Sequence, residues 1–535
     1  MASLRPASHA LVIGLLTTST AFAQAPPLAW EAFVDGSLPG IDEARGLVVA
    51  PDNSIYVTGS SANIAPQGTI TTVRYAPNGT QLWIDHPYGP SQSAENKGVA
   101  LAIAPDGHVY VGGTLANNNG DFALIKYNAS GRLWKKNYEQ YDQADVPDEG
   151  AALAVDDQGD VYLTGYITST SGMGYDQYVM KTDSSGERLW GNDFAVSSAD
   201  EHATCMAISP NGNIYVGGDW WNLNGNGAID LSVARFGADG TRLWDKSLEA
   251  PGMNDRAIGI ATTDAGGVIV CGTVQGAVDM DMAVVARDAA GTELWSAVYD
   301  GSGPGNDEAL EVRELANGQV VVVGHSLELI NGQLRHTIAT RLYDAGSLLW
   351  EAAYPGPEGL GAWPTSVTLD HENDLLIAGY STAPGGLTTD GLIVKYDMTG
   401  SLAWAIPYAG AAGFNDRFNA IGVNTAGDVI VCGTTHSAAN ASKYITVQYG
   451  NAVGMKEDPT GKGGPIVFPN PVSSRLSLSH VDPDTSIEVF NALGERVYAA
   501  RSPQGIDVGH WNEGVYFVRT DNGSAVHTAR FTVQH

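Results

Sequence analysis

Short apolar runs separated by Gly, Asn and Asp clusters fill most of this chain, and no long stretch keeps an apolar stripe at helical spacing. One phrase recurs. An aliphatic residue, a Tyr or second aliphatic, another aliphatic, a variable residue and a Gly appear as "IYVTG", "VYVGG", "VYLTG", "IYVGG", "VIVCG", "VVVVG", "LLIAG" and "VIVCG". The glycines are Gly59, Gly113, Gly165, Gly218, Gly272, Gly324, Gly379 and Gly433. Each phrase follows a turn such as "PDG", "DQG", "PNG" or "TAG". After a variable stretch comes a third apolar run ("TTVRY", "FALIKY", "LSVARF", "LIVKY"), then a Gly-containing turn and, in most copies, "LW". The tryptophans Trp30, Trp83, Trp134, Trp190, Trp244, Trp295, Trp350 and Trp404 keep a spacing of 51 to 56 residues. Trp220, Trp221, Trp363 and Trp511 stand outside that period.

One unit therefore predicts four strands, typified by "EGAALAVDD", "DVYLTGY", "DQYVMKT" and "ERLWGNDF". A period near fifty with four strands per unit predicts a propeller blade, and eight copies predict an all-β, eight-bladed propeller. The repeated Gly marks a place where backbones approach closely. The first-to-second and third-to-fourth turns are short and Gly-rich, while the other two connections vary. One face of the disc is thus regular and the other carries irregular loops, where recognition is expected. The stretch "PLAWEAF" precedes any complete unit, and the eighth unit ends at "ITVQYG" with no "LW". Deficit and surplus match, so Leu28 to Phe33 is expected to pair beside Tyr444 to Tyr449 and close the ring, removing two open sheet edges.

The phrases "GDVYLTGY" and "GDFALIKYNASGRL" resemble the secreted bacterial β-propeller repeats called SBBP and the related delta-60 repeats. The likeness covers roughly residues 28–450. It implies a secreted binding or surface protein with no catalytic residues to carry over. The SBBP name implies seven blades, whereas the repeats here number eight.

The ends of the chain read differently. Residues 1–23 have the layout of a signal peptide: Arg5, the apolar "ALVIGLL", and "AFA" before Gln24. No other segment is apolar and long enough to span a bilayer as a helix. The propeller is expected over 24–450, a polar Gly-rich linker over 451–463, and a small β-sandwich over 464–535. This tail resembles the type A C-terminal sorting domain of the type IX secretion system. The likeness lies in Pro469-Asn470-Pro471, Val489-Phe490, Gly494, Val497, the run Gly514-Val515-Tyr516-Phe517-Val518, and the final Phe531 and Val533. The resemblance implies the type IX machinery as a partner, a Bacteroidetes-like source, and passage through the outer membrane to the cell surface or the medium.

With 28 basic against 59 acidic residues the net charge is −31, which opposes phosphate-backbone binding and argues against nucleic acid as a partner. Cys205, Cys271 and Cys432 show no CxxC spacing and read as small buried hydrophobes.

Candidate binding chemistry lies on the irregular face. The start of most units is acidic: Asp42-Glu43, Glu95-Asn96, Asp148-Glu149, Asp200-Glu201, Asn254-Asp255, Asp307-Glu308 and Asn415-Asp416, with Gly361-Ala362 breaking the pattern. If the first strands line the axis, these residues ring one mouth of the channel. Carboxylates converging there suit Ca²⁺ or a basic ligand. The competing reading is that each acid bonds backbone N–H groups of its own turn. Trp220-Trp221 and Trp363 are expected in variable loops, as aromatic platforms for a glycan or protein. An Asp precedes the third strand five residues before a cation in four units (Asp121 and Lys126, Asp176 and Lys181, Asp230 and Arg235, Asp390 and Lys395), and is expected to form a blade-wise ion pair or turn bond.

Enzyme signatures are thin: the chain has no G-x-S-x-G, HExxH, Walker A or G-x-G-x-x-G. The phrase "YDxxGxLW" is similar to the repeat element of the eight-bladed quinoprotein dehydrogenases, which would imply pyrroloquinoline quinone. Their adjacent Cys-Cys pair and CxxCH site are missing here. The expected function is non-catalytic adhesion or capture of an extracellular glycan or protein, with no cofactor beyond a possible role for calcium. The competing class is a hydrolase or lyase acting on polysaccharide through carboxylates at the channel mouth.

Overall fold

The computed structural model describes residues 25–38, 40–62, 68–87, 96–115, 121–138, 148–168, 174–194, 200–221, 229–248, 255–410, 413–438, 441–450, 466–468, 472–479, 485–491, 496–501, 505–512, 514–521 and 526–534. The signal segment, the linker, and Pro469, Asn470, Pro471 and Gly494 of the sorting motif lie outside them. The chain divides into two compact units, 1–450 and 451–535. Among the described residues no helix is long and apolar enough to cross a membrane.

The first unit holds eight four-stranded antiparallel sheets. In blade 3 the strands run Glu149–Val155, Val161–Thr168, Tyr175–Thr182 and Arg188–Phe194, in spatial order. The first strands of successive blades pack against one another around the ring, and that of blade 8 (Asp416–Val423) meets that of blade 1 (Glu43–Val49). The first strand is therefore innermost and the tryptophan strand outermost. Apolar side chains of each second and third strand are buried against the adjoining blade, which is why both faces of these strands read as apolar.

The repeat glycine has a steric cause. In every blade the first strand carries a bulge, and the glycine pairs with the residue just before it, as Gly165 does with Gly150 and Gly59 with Ala44. A Cβ on Gly59, Gly113, Gly165, Gly218, Gly272, Gly324, Gly379 or Gly433 would sit on the carbonyl oxygen of Glu43, Lys97, Glu149, His202, Arg256, Glu308, Trp363 or Arg417 respectively.

The repeat tryptophan joins one blade to the next. The indole N–H groups of Trp83, Trp190, Trp244 and Trp350 donate to Ala129, Ala238, Ala289 and Met398 carbonyls in the following blade at 2.9 to 3.1 Å. The rings of Trp190, Trp244, Trp295 and Trp350 lie under the turn glycines Gly240, Gly291, Gly346 and Gly400, all at positive φ.

The ring closes as the sequence predicts. Leu28–Val34 pairs antiparallel with Ala441–Tyr449, from Leu28 opposite Tyr449 to Val34 opposite Tyr444. Where other blades have a third-to-fourth turn, blade 8 has a chain break, bridged by Gly450 N–H donating to the Pro27 carbonyl at 3.0 Å. Trp30 belongs to blade 8 yet bonds the Pro77 carbonyl of blade 1 at 3.1 Å.

The second unit has a three-stranded and a four-stranded sheet. Val472, Leu476, Ile487, Val489, Ile506, Tyr516 and Val518 form its core. Gly514 begins one strand at φ 152°, and the Tyr516 hydroxyl donates to the Asn512 carbonyl at 2.8 Å.

Candidate functional site

The acids at the mouth of the channel separate into two rings with opposite roles. Asp42, Asn96, Asp148, Glu201, Asp255, Asp307 and Asp416 stand one residue before the channel-facing position, and all are buried. Four of them accept the backbone N–H twenty residues ahead, in or just after the second strand: Ala62 to Asp42 at 2.7 Å, Thr168 to Asp148 at 3.1 Å, Gln275 to Asp255 at 2.6 Å and Leu327 to Asp307 at 3.0 Å. Asp42, Asp307 and Asp416 also take the N–H of Gly36, Gly301 and Gly410. At Asp42, Asp148, Asp255, Asp307 and Asp416 the carboxylate thus satisfies backbone N–H groups inside its own blade. Asp200 sits one residue further out and accepts the Tyr175 N–H at 3.1 Å. Glu95 and Asn254 lie outside the described residues. Among the described residues, these acids do not converge as a group of three carboxylates.

The channel-facing ring is formed by Glu43, Lys97, Glu149, His202, Arg256, Glu308, Trp363 and Arg417. Each lies sixteen residues before its repeat glycine. The ring is not acidic: three carboxylates face three cations, a histidine and a tryptophan. That constant offset was the signal available in the sequence. The acid pairs hid it, because they straddle the boundary in some blades and fall one residue early in others.

Around blades 6 to 8 the mouth is aromatic. Trp363 is not in a loop. It lies in the first strand of blade 7, Ala362–Leu369, opposite Tyr380. Its ring stacks on Tyr380 at 5.2 Å and 11° and on His325 at 6.0 Å and 11°, with His336 at 4.8 Å. Arg417 lies over Tyr380, 5.1 Å from the ring centre. His325 Nε2 and His336 Nδ1 share a 2.7 Å hydrogen bond. Burial and His336 push His325 down to about 4, and burial lowers His336, so both are neutral at pH 7. Burial raises the Glu308 carboxyl, opposed by Arg256.

Around blades 2 to 5 the mouth is polar. Glu149 pairs with Lys97 and accepts the Tyr166 hydroxyl at 2.6 Å. Its burial raises the carboxyl, but the bonds from Lys97 and Tyr166 outweigh that and lower it. The His202 ring stands edge-on to Tyr166 at 4.9 Å, and its Nδ1 is 3.3 Å from Asp219, which also lies 4.0 Å from Arg256.

Two other expectations change. Trp220 is buried among Phe194, Phe236 and Tyr162, and Trp220 and Trp221 extend the second strand of blade 4, so Trp220 covers its own blade and is no exposed platform. The cations five residues after each third-strand Asp do not pair with it. An odd separation along a strand places the two on opposite faces. Lys181 instead bonds Asp156 and Asp160, Lys395 bonds Asp370 and Asp374, and Arg235 bonds Asn213, all in first-to-second turns.

The comparisons with known proteins divide along the two units. The family described as secretion system C-terminal sorting domain matches residues 466–534. A β-propeller domain of unknown function, DUF5122, matches 50–81 and 104–133. The regulatory protein FlaEY of Caulobacter vibrioides is 28% identical over 164 residues, covering 28% of this chain and 16% of its own length. Among solved structures the chain is similar to Sqt1 from Chaetomium thermophilum, with TM-score 0.44, 11% identity and coverage of 79% of this chain and 100% of the other. It is similar to the β-propeller domain of the Trilobed protease from Pyrococcus furiosus, with TM-score 0.37, 10% identity and coverage of 72% and 97%. It is also similar to the polysaccharide lyase Uly1, with TM-score 0.38, 11% identity and coverage of 79% and 99%. At these identities the likeness bears on nothing beyond fold.

Proposed function

We propose that this chain, a secreted β-propeller protein with a type IX sorting domain that takes it to the cell surface or the extracellular space, captures an extracellular glycan at the mouth of its channel without transforming it. The observation that carries this reading is the array of His325, His336, Trp363 and Tyr380 with Arg417 beside it. Aromatic rings offer apolar surface to the C–H groups of a sugar ring, and a guanidinium binds carboxylate or sulfate substituents in bidentate fashion. Elsewhere the surface is strongly acidic, whereas at the mouth Lys97, Arg256 and Arg417 balance three carboxylates, so an acidic glycan meets less repulsion there. A glycan array on the purified chain, followed by titration calorimetry, tests it. Trp363→Ala is expected to weaken binding at least about 10-fold, or ~1.4 kcal/mol. A chain that binds no glycan, or a variant that binds unchanged, rejects the reading.

A second reading, an enzyme acting on the polysaccharide, is favoured by one run of contacts. Asp219 beside Nδ1 of His202 orients the imidazole and leaves Nε2 for proton transfer, with the Tyr166–Glu149 hydrogen bond adjacent. Incubation with acidic polysaccharides, read as new reducing ends or unsaturated products, separates the two. Turnover abolished by His202→Ala favours the enzyme; binding without turnover favours the receptor.

A further inference from the structure

A third cluster lies outside the channel, where blade 5 meets the connection to blade 6. We propose that Asp279, Asp281 and Asp300 form a calcium site. One carboxylate oxygen from each lies within 4.8 Å of the others. Oxygens bound to one Ca²⁺ at about 2.3–2.6 Å spread up to roughly 5 Å apart, whereas Mg²⁺ at about 2.0–2.1 Å draws its ligands closer.

Proximity of acids is not itself a site, and Asp281 supplies the independent observation. It is 8% exposed, and its Oδ1 has no hydrogen-bond partner among the described residues. A buried carboxylate left this way is costly unless something neutralises it. The charges bearing on it, from Asp300, Asp279 and Asp307, are all negative. Gly276 adds a constraint from the other side: a Cβ there would come within 2.6 Å of Asp281 Oδ1. The carboxylate is thus held against bare backbone.

The other blades show what is particular to blade 5. Asp121, Asp176, Asp230 and Asp390 occupy the same place, at the start of the third strand. The first three are buried like Asp281 and each has an interaction elsewhere, although Asp121 Oδ2 and Asp176 Oδ1 also lack a hydrogen-bond partner among the described residues, so the orphaned oxygen alone does not single out blade 5. Blade 7 has Thr388 two residues before Asp390 and Ala409 after its fourth strand, where blade 5 has Asp279 and Asp300. Only in blade 5, among the described residues, do three carboxylates converge in this way. Carboxylate oxygens without nitrogen or sulfur ligands select a hard cation, and an exported protein meets calcium outside the cell.

Calorimetric titration of the purified full chain with CaCl₂ tests the site, with MgCl₂ as the second arm. The expected result is calcium binding with Kd of about 10⁻⁴–10⁻³ M, the range of extracellular modules, and a higher Tm in calcium. Asp281→Asn and Asp300→Ala are each expected to weaken it at least about 10-fold. Asp300 is exposed, so its replacement leaves the fold intact. In the absence of calcium, Asp281→Asn is expected to melt at or above the parent, because it removes a repelled buried charge. A parent chain that binds no calcium, variants that bind it unchanged, or magnesium binding as tightly as calcium would each overturn the proposal.

Discussion

Gly165 shows how much one side chain decides in this fold. A methyl group there meets the Glu149 carbonyl, which belongs to the strand lining the channel and has no room to retreat. Gly165→Ala is therefore expected to destabilise blade 3 by about 1–3 kcal/mol, as overpacking does, read as a lower midpoint in denaturant. Trp350→Phe keeps most of the apolar ring but loses the bond to Met398 across the blade boundary, at a cost of about 1 kcal/mol. The histidines give a pH signature. Folding lowers His325 from 6.5 to about 4, so between those values the unfolded chain binds more protons than the folded one. Stability from this group is complete above 6.5 and is lost as pH falls toward 4. Melting temperature measured from pH 7 to 4.5 is expected to fall more steeply in the parent than in His325→Gln. Equal slopes would show that the imidazole is solvated. The glycine and tryptophan were legible in the sequence because every blade repeats the same contact. His325, Trp363 and Arg417 were less so, since His325 and Trp363 each occur in one blade, Arg417 shares its place with Arg256 alone, and only the fixed offset from the glycine marks them.

The same logic governs whole strands. The closing strand Leu28–Val34 was readable because a missing piece at one end matched a surplus at the other, and the register from Leu28 to Val34 follows. It serves two blades: hydrogen bonds tie it to blade 8, and Trp30 ties it to blade 1. Its removal exposes the edge of Ala441–Tyr449 and breaks the seam where Val57, Tyr75, Cys432 and Tyr444 pack together. Deleting residues 24–35 is expected to lower the Tm sharply and to promote association through the freed edge; an unchanged melt with a monomeric elution profile contradicts that. Strand ends were harder to read. The second strand of blade 4 runs on through Trp221, and blade 6 extends its second and third strands to Ile330 and from Gln333. Both stretches fall in the connection that varies from unit to unit; pairing can continue wherever two neighbouring segments stay in register, and composition alone does not mark where it stops.

At the scale of the whole molecule, the two units answer different questions. The propeller closes its own sheet edges and buries its cores between its own blades. The tail has a separate core around Val489 and Val518. Within the propeller, the last strand ends at Tyr449 and is held by Leu28 and, through Gly450, by Pro27. Truncation after Gly450 is thus expected to leave the thermal midpoint of the propeller within about 2 °C, the shift that about 2 kcal/mol produces in a domain of this size. The same truncation removes the segment matched to the sorting domain, so in a host with type IX secretion the protein is expected to accumulate in the periplasm, detected by fractionation and immunoblot. The pair of readouts is informative together. A stable propeller that is still exported would place the sorting signal elsewhere in the chain. A propeller that fails to fold without its tail would show that the second unit completes the first, and would move the boundary drawn at Gly450.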